Sequence, residues 1–156
     1  MTPAIKLLEK AKVNFKVHEY EHDPAAESYG LEASEKLGVD DVRVFKTLIV
    51  TLDAKDYAVA VIPVAHMLSM KQIAKAANAK KAAMADKTAV ERITGYVLGG
   101  VSPMGQKKRL KTFIDESAKE CPSIYVSAGR RGLEIELGAE DLKNQTGAVF
   151  APLTQE

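Results

Sequence analysis

The stretch RVFKTLIV, residues 43–50, sets one lysine, Lys46, in a run that otherwise reads as a buried strand. Strict alternation groups Lys46 with Val44 and Leu48, and Phe45 with Thr47 and Ile49, so neither face is cleanly polar. A strand of that kind is covered on both sides, and its ammonium must sit in a crevice. The plain reading is a stem lying on apolar surface with its head in water. A partly buried lysine is costly, however, unless it meets an anion or a carbonyl oxygen. The chemistry open to Lys46 is phosphate binding, carbonyl polarisation or, with a depressed pKa, covalent and base catalysis.

A second stretch, YVLGGVSPMGQKKRL (96–110), breaks two apolar segments with three glycines and a proline. Such a loop either makes a plain turn or exposes backbone N–H groups to a ligand. It has neither the G-x-x-x-x-G-K-[ST] of a phosphate loop nor the G-x-G-x-x-G of a dinucleotide fold. Gln106-Lys107-Lys108-Arg109 follows as a small basic cluster, suited to solvent or to phosphates. His18, His22 and His66 lack metal-ligand spacing. The single cysteine, Cys121, precedes a proline and has no evident histidine or aspartate partner, and no nucleophile-elbow serine motif is present. The residues alone describe a lysine-and-glycine-loop pocket whose ligand they do not name.

Positioning these groups requires one domain over residues 1–156, a length that buries about two-thirds of its unfolded surface without staples. Thr2-Pro3 predicts a helix start and a helix running to about Ala11. NFKVHEY (14–20) alternates as a strand, and a second helix ends near Gly38. Residues 43–52 and 57–64 flank DAKD as a hairpin. Ser69 and Asp86 are capping residues for two further helices, with a short strand between them at about 81–85. KTFIDE, SIYVSA and LEIELG are strands, and GAEDLKNQTG is a closing helix. The fold class is α+β, with a mixed, strongly twisted, barrel-like sheet surrounded by helices.

Composition narrows the function. Hydrophobic content of 46% and charge of 28% are ordinary for a soluble globular chain. A formal charge of +1 provides no broad basic field, so any nucleic-acid contact is expected to be local or helped by a partner. One cysteine excludes an internal disulfide and a multi-cysteine zinc site. No apolar run approaches the ~20 residues of a membrane span, and MTPAIKLLEK lacks a signal-peptide core, which predicts a cytoplasmic protein.

TPAIKLLEKAKVNFKVHEYEHDP, VFKTLIV, AVAVIPV, AKKAAMAD, TGYVLGGVSPMGQKKRL and IYVSAGRRGLEIEL, taken in order, closely resemble the YbaK/EbsC family of free-standing Cys-tRNA(Pro) deacylases. The family is in turn similar to the editing domain inserted in many bacterial prolyl-tRNA synthetases. The resemblance implies hydrolysis of the ester on mischarged tRNA(Pro), acting at its acceptor end, without metal or organic cofactor. It also implies a transient complex with prolyl-tRNA synthetase. Cysteine and proline are close in volume, and binding separates near-isosteres by only ~1–3 kcal/mol, so a second, hydrolytic site is a sensible remedy.

By the same resemblance, Lys46 matches the family's essential lysine, with Thr47 beside it, and Tyr20 matches a pocket tyrosine. Tyr29 stands where relatives often carry phenylalanine. Gly99, with Gly100, Val101 and Ser102, matches the glycine stretch that approaches substrate. Ser127 and Glu134 match pocket-lining positions, the latter usually aspartate in relatives. The family pattern implies that the substrate's own thiol attacks its carbonyl, while Lys46 meets the tRNA end and Gly99–Val101 N–H groups hold the oxyanion. Three other readings stand beside it: an alanyl-tRNA(Pro) deacylase of the same superfamily, a Schiff-base enzyme using Lys46, and a non-enzymatic regulator that binds tRNA or synthetase.

Overall fold

The structure, a computed structural model, describes residues 1–26 and 29–155, the side chain of Tyr29 excepted. In chain order its elements are α1 (Pro3–Ala11), β1 (Phe15–Glu19), α2 (Tyr29–Leu37), β2 (Phe45–Leu52) and β3 (Asp56–Pro63). Then come α3 (Met70–Ala76), β4 (Ala82–Met84), α4 (Lys87–Thr94) and β5 (Lys111–Asp115). A 3-10 turn (Glu116–Glu120), β6 (Ile124–Arg130), β7 (Leu133–Leu137), α5 (Ala139–Thr146) and β8 (Val149–Ala151) complete them.

The caps act where the sequence puts them. Thr2 Oγ1 accepts from the Ile5 N–H at 3.3 Å, Ser69 Oγ from Gln72 at 3.1 Å, and Asp86 Oδ1 from Ala89 at 2.8 Å. Each satisfies an amide that the first helical turn leaves without a partner.

Two sheets carry the strands, one in the order β4-β2-β3-β5-β8 and one in the order β1-β7-β6. They do not close into the barrel-like sheet expected from the sequence. Val44, the residue before β2, makes an isolated parallel bridge to Tyr125 of β6. Beyond it, β6 carries a register shift between Ser127 and Arg130, of the kind that bends a strand away from its neighbours.

β3 shows why β2 has no polar face. Ala58 through Ile62 are fully buried: Val59 and Val61 pack with α1, β6, β7 and α5, and Ala58, Ala60 and Ile62 pack with α3. β2 follows suit, with Phe45 and Ile49 in the first cluster and Val50 and Leu52 in the second. Each fully buried Val, Ile or Phe contributes about 1.5–3 kcal/mol, so the sheet is pinned from both sides. The 3-10 turn and β8 escape sequence reading because β8 has only three residues, none of them buried, and shows no alternation. β8 nonetheless pairs in parallel with β5, and Asp115 Oδ1 accepts from the Leu153 N–H at 2.9 Å to seat the buried Leu153. Among the described residues no helix is long and apolar enough to cross a membrane.

Candidate functional site

The site exists because β4 is short. It pairs with β2 only from Val50 to Leu52, and the Ala85 N–H reaches the Ile49 carbonyl at 3.0 Å. Lys46, Thr47 and Leu48 therefore lie on strand with no strand neighbour on that side. A cavity of about 310 Å³ opens there, within the range of small-ligand sites. Lys46 and Thr47 line it from β2, Tyr20 from the residue after β1, Ser127 from β6, Glu134 from β7, and Gly99 and Val101 from the loop after α4.

Seven of the ten residues singled out in the sequence thus meet in one cavity. Gly100 and Ser102 do not line it, and the Tyr29 side chain lies outside the described residues. Sequence reading missed Met84, Leu98 and Arg131, which also line it. Only the last carried a signal, as an arginine in the tight GRRG turn between two strands.

Lys46 is half-buried, and burial alone lowers its pKa below the ordinary lysine value. Among the described residues no carboxylate pairs with it. Thr47 Oγ1 is buried without a hydrogen-bond partner among the described residues, a condition rare enough in native proteins to require a cause. Glu134, 6% exposed, is pushed up to about 8 by burial, so at neutral pH the carboxyl is mainly protonated. Burial, then the nearby Glu134 charge, pushes Tyr20 up to about 12. With the phenol and the carboxyl neutral, Lys46 at the open strand edge and Arg131 are the cations among the lining residues, and the site suits an anion or a carbonyl oxygen gaining charge.

Second contacts hold these groups. The Tyr20 N–H donates to the Gly132 carbonyl at 3.0 Å. Glu32, just beyond, accepts from the Asp23 N–H and pairs with His22 and Lys36, and these contacts outweigh its burial and hold it below the usual carboxylate range. Ser127 Oγ accepts from the Gly129 N–H at 3.1 Å, inside the irregular end of β6.

The loop over the cavity is tied down at several points. The Tyr96 hydroxyl donates to the Met104 carbonyl at 2.7 Å, Gln106 Nε2 to the Ser102 carbonyl at 3.0 Å, and Arg131 to the Leu98 carbonyl at 2.9 Å. Ser102 therefore serves the loop's shape. Gly100 spends its N–H on the Val97 carbonyl at 2.9 Å, which removes it from the possible oxyanion donors. No carbonyl accepts from the Gly99 or Val101 N–H among the described residues.

The two glycines differ in what a side chain would meet. Gly99 has φ +90°, so Gly99→Ala carries about 1–2 kcal/mol of backbone strain and brings a methyl to the cavity rim. A Cβ on Gly100 would stand 2.9 Å from the Arg130 Cα, against backbone that cannot step aside. We expect Gly99→Ala to lose most activity with a fall in Tm of a few degrees, and Gly100→Ala to melt lower still. Equal melting of both variants with the wild type contradicts this division.

Glu134 supplies a pH signature. The unfolded carboxyl titrates near 4.5 and the folded one near 8, so the folded state holds the extra proton between those values. Its stability contribution is complete below about pH 4.5 and is lost as pH rises through 8. Glu134→Gln, never ionised, is expected to melt several degrees above the wild type at pH 8.5, with a smaller difference at pH 5.5. A pH-independent difference would show the carboxyl to be well solvated.

The groups that could serve other chemistries sit elsewhere. His18 Nε2 is 2.9 Å from Glu136, and Cys121, its pKa raised by burial, faces the Val42 and Ser117 carbonyls. Among the described residues no group of three or more His, Cys, Asp or Glu is arranged to hold a metal ion.

Comparison with known proteins bears on this geometry. The profile of the aminoacyl-tRNA editing domain matches residues 23–144. A protein of Enterococcus faecalis, provisionally named a Cys-tRNA(Pro)/Cys-tRNA(Cys) deacylase, EbsC, is 39% identical over 98% of this chain and 93% of its own. A crystal structure described, also provisionally, as a trans-editing enzyme for prolyl-tRNA synthetase superposes with a TM-score of 0.85 at 22% identity. It covers 100% of this chain and 99% of that one. A second crystal structure, of a hypothetical protein, gives 0.87 at 24% identity, over 98% and 99%. At those identities the two structures speak for the fold.

Proposed function

This chain belongs to the aminoacyl-tRNA editing domain family, on its YbaK/EbsC branch, and from that membership we propose that it clears cysteine mischarged onto tRNA(Pro). The activity is hydrolysis of the ester between the amino acid and the terminal ribose. The observation that carries the reading is a pair on β2 that lacks partners among the described residues: an ammonium and a buried hydroxyl facing one cavity with the Gly99–Val101 loop. Such groups await a ligand with an anionic or carbonyl oxygen.

In this reading Lys46 holds an oxygen of the tRNA's 3′ end or the charge growing near the ester. The Gly99 and Val101 N–H groups hold the oxyanion, which a preorganised donor stabilises at no cost of reorganisation. Thr47 and Tyr20 orient the ribose and the amino acid. Ser127 and Thr47 are hydroxyls in the cavity, but among the described residues no histidine lines it to activate either as a nucleophile.

The nucleophile is then the substrate's own sulfur. The thiol attacks its carbonyl, the S–C bond forms, the ester C–O bond breaks, and the departing ribose oxygen takes the thiol proton. Water opens the resulting thiolactone to free cysteine. A cavity of about 310 Å³ reaches only the ester and the terminal nucleotide, so the identity of the tRNA falls to a partner, prolyl-tRNA synthetase.

Side-by-side hydrolysis of cysteinyl- and alanyl-tRNA(Pro) tests the substrate. Cysteinyl-tRNA(Pro) is expected to be cleared far faster, and faster again with synthetase present. Preferential clearance of alanine would move the chain to the sister activity.

A further inference from the structure

The near-zero net charge conceals a segregation. Residues 69–111 carry ten lysines and arginines against two acids, Asp86 and Glu91, leaving twelve basic and nineteen acidic residues in the rest of the chain. The fold keeps that surplus together. Lys71, Lys75, Lys80 and Lys81, all exposed, line an open groove along α3 and the start of β4 with no acidic residue among its described lining. Lys55, Lys108, Arg109 and Lys111 line a second groove, with Asp53 and Asp56. The grooves share Asn78 and Ala79, so they form one band around the α3–β4 turn.

Two observations separate this band from an ordinary solvated surface. None of its eight cations is ion-paired among the described residues, and Asp53 is occupied, its Oδ1 accepting from the Lys80 and Lys81 N–H groups at 3.0 and 2.9 Å. The band also leads to the cavity. Its first groove ends on Ala82, and two residues further along β4 Met84 lines the Lys46 cavity. At about 3.3 Å per residue, rim is separated from rim by roughly 7 Å. Eight gathered cations against two carboxylates, Asp53 and Asp56, favour a polyanion, whose binding releases condensed counterions.

We propose that the lysines of the α3–β4 groove hold the acceptor-stem phosphates of the RNA while its 3′ end enters the Lys46 cavity. This rests on the reading of that cavity as an aminoacyl-ester site. The expected local contact is thus joined by a track that the net charge of the chain does not reveal.

The test replaces Lys75, Lys80 and Lys81 by glutamine together, against a control of equal charge loss on α1 and β1, with glutamine at exposed Lys6, Lys10 and Lys16. Binding of an unacylated acceptor-stem minihelix is read by fluorescence anisotropy across salt. Hydrolysis of a cysteinyl ester of adenosine, which has no phosphates, is read in parallel. The groove variant is expected to bind the minihelix at least tenfold more weakly, with its log–log salt slope reduced by about 2–3. The control should bind as the wild type does, and all three proteins should cleave the small ester equally. Wild-type affinity and slope in the groove variant overturn the proposal, as does equal weakening in the control or a matching loss on the small ester. Failure of the wild type on the small ester would instead refute the ester-site reading, while the binding arm still decides whether the groove grips RNA.

Discussion

Lys46→Ala is expected to lose at least a hundredfold in single-turnover deacylation of cysteinyl-tRNA(Pro) while melting no lower than the wild type by more than a degree or two. The first half follows from where charge develops. A fixed donor to a developing oxyanion is worth about 2.7–4 kcal/mol in a site that excludes water, or 10²–10³ in rate. The second half follows from the burial of Lys46 without a carboxylate partner among the described residues. Desolvation already disfavours its charged form, and no carboxylate is orphaned when it leaves. What remains to lose is the packing of its stem, opposite Ile62 on β3. Lys46→Arg should recover part of the activity only if the cavity admits the larger fork, because a guanidinium is not a point charge. Circular dichroism and a melting curve beside the assay separate the two effects. Near-normal turnover in folded Lys46→Ala would remove the lysine from the reaction.

The second large effect concerns sulfur. Seryl- and cysteinyl-tRNA(Pro) differ by one atom and should bind the same cavity similarly. At neutral pH a thiol of pKa about 8.5 supplies some thiolate, whereas a serine hydroxyl supplies essentially none. Among the described residues no histidine lines the cavity to activate Ser127 or Thr47, and in the proposed mechanism the substrate brings its own nucleophile. Single-turnover hydrolysis of seryl-tRNA(Pro) is therefore expected to be at least a hundredfold slower, with the loss in the chemical step rather than in affinity. Equal rates would replace the thiol by a positioned water.

Much of this was legible in the residues. Lys46 announced itself by breaking an apolar strand, and the burial of Phe45, Ile49 and Val50 on both sides of β2 makes that strand what the pattern required. The caps at Thr2, Ser69 and Asp86 placed three helices. Resemblance, not periodicity, brought Tyr20, Ser127 and Glu134 to the cavity, because residues so far apart in sequence meet only through the β1-β7-β6 order. The division of labour in the loop was not legible. That Gly100 and Ser102 serve the turn while Gly99 faces the cavity depends on one hydrogen bond to Val97 and on the approach of Arg130. The open sheet was missed because the two sheets meet at an isolated bridge, Val44 to Tyr125, which no local pattern marks. The basic band was missed because net charge averages over the surface that the fold keeps apart.

The most direct test of the central claim is the first-order rate of ester loss from cysteinyl-tRNA(Pro) with the protein in excess, run beside prolyl-tRNA(Pro). Cysteinyl ester should disappear at least a hundredfold faster than its spontaneous rate, and prolyl ester, whose ring nitrogen carries no thiol to attack with, should decay no faster than without protein. Spontaneous rates for both esters, from a protein shown to be folded, would contradict the account.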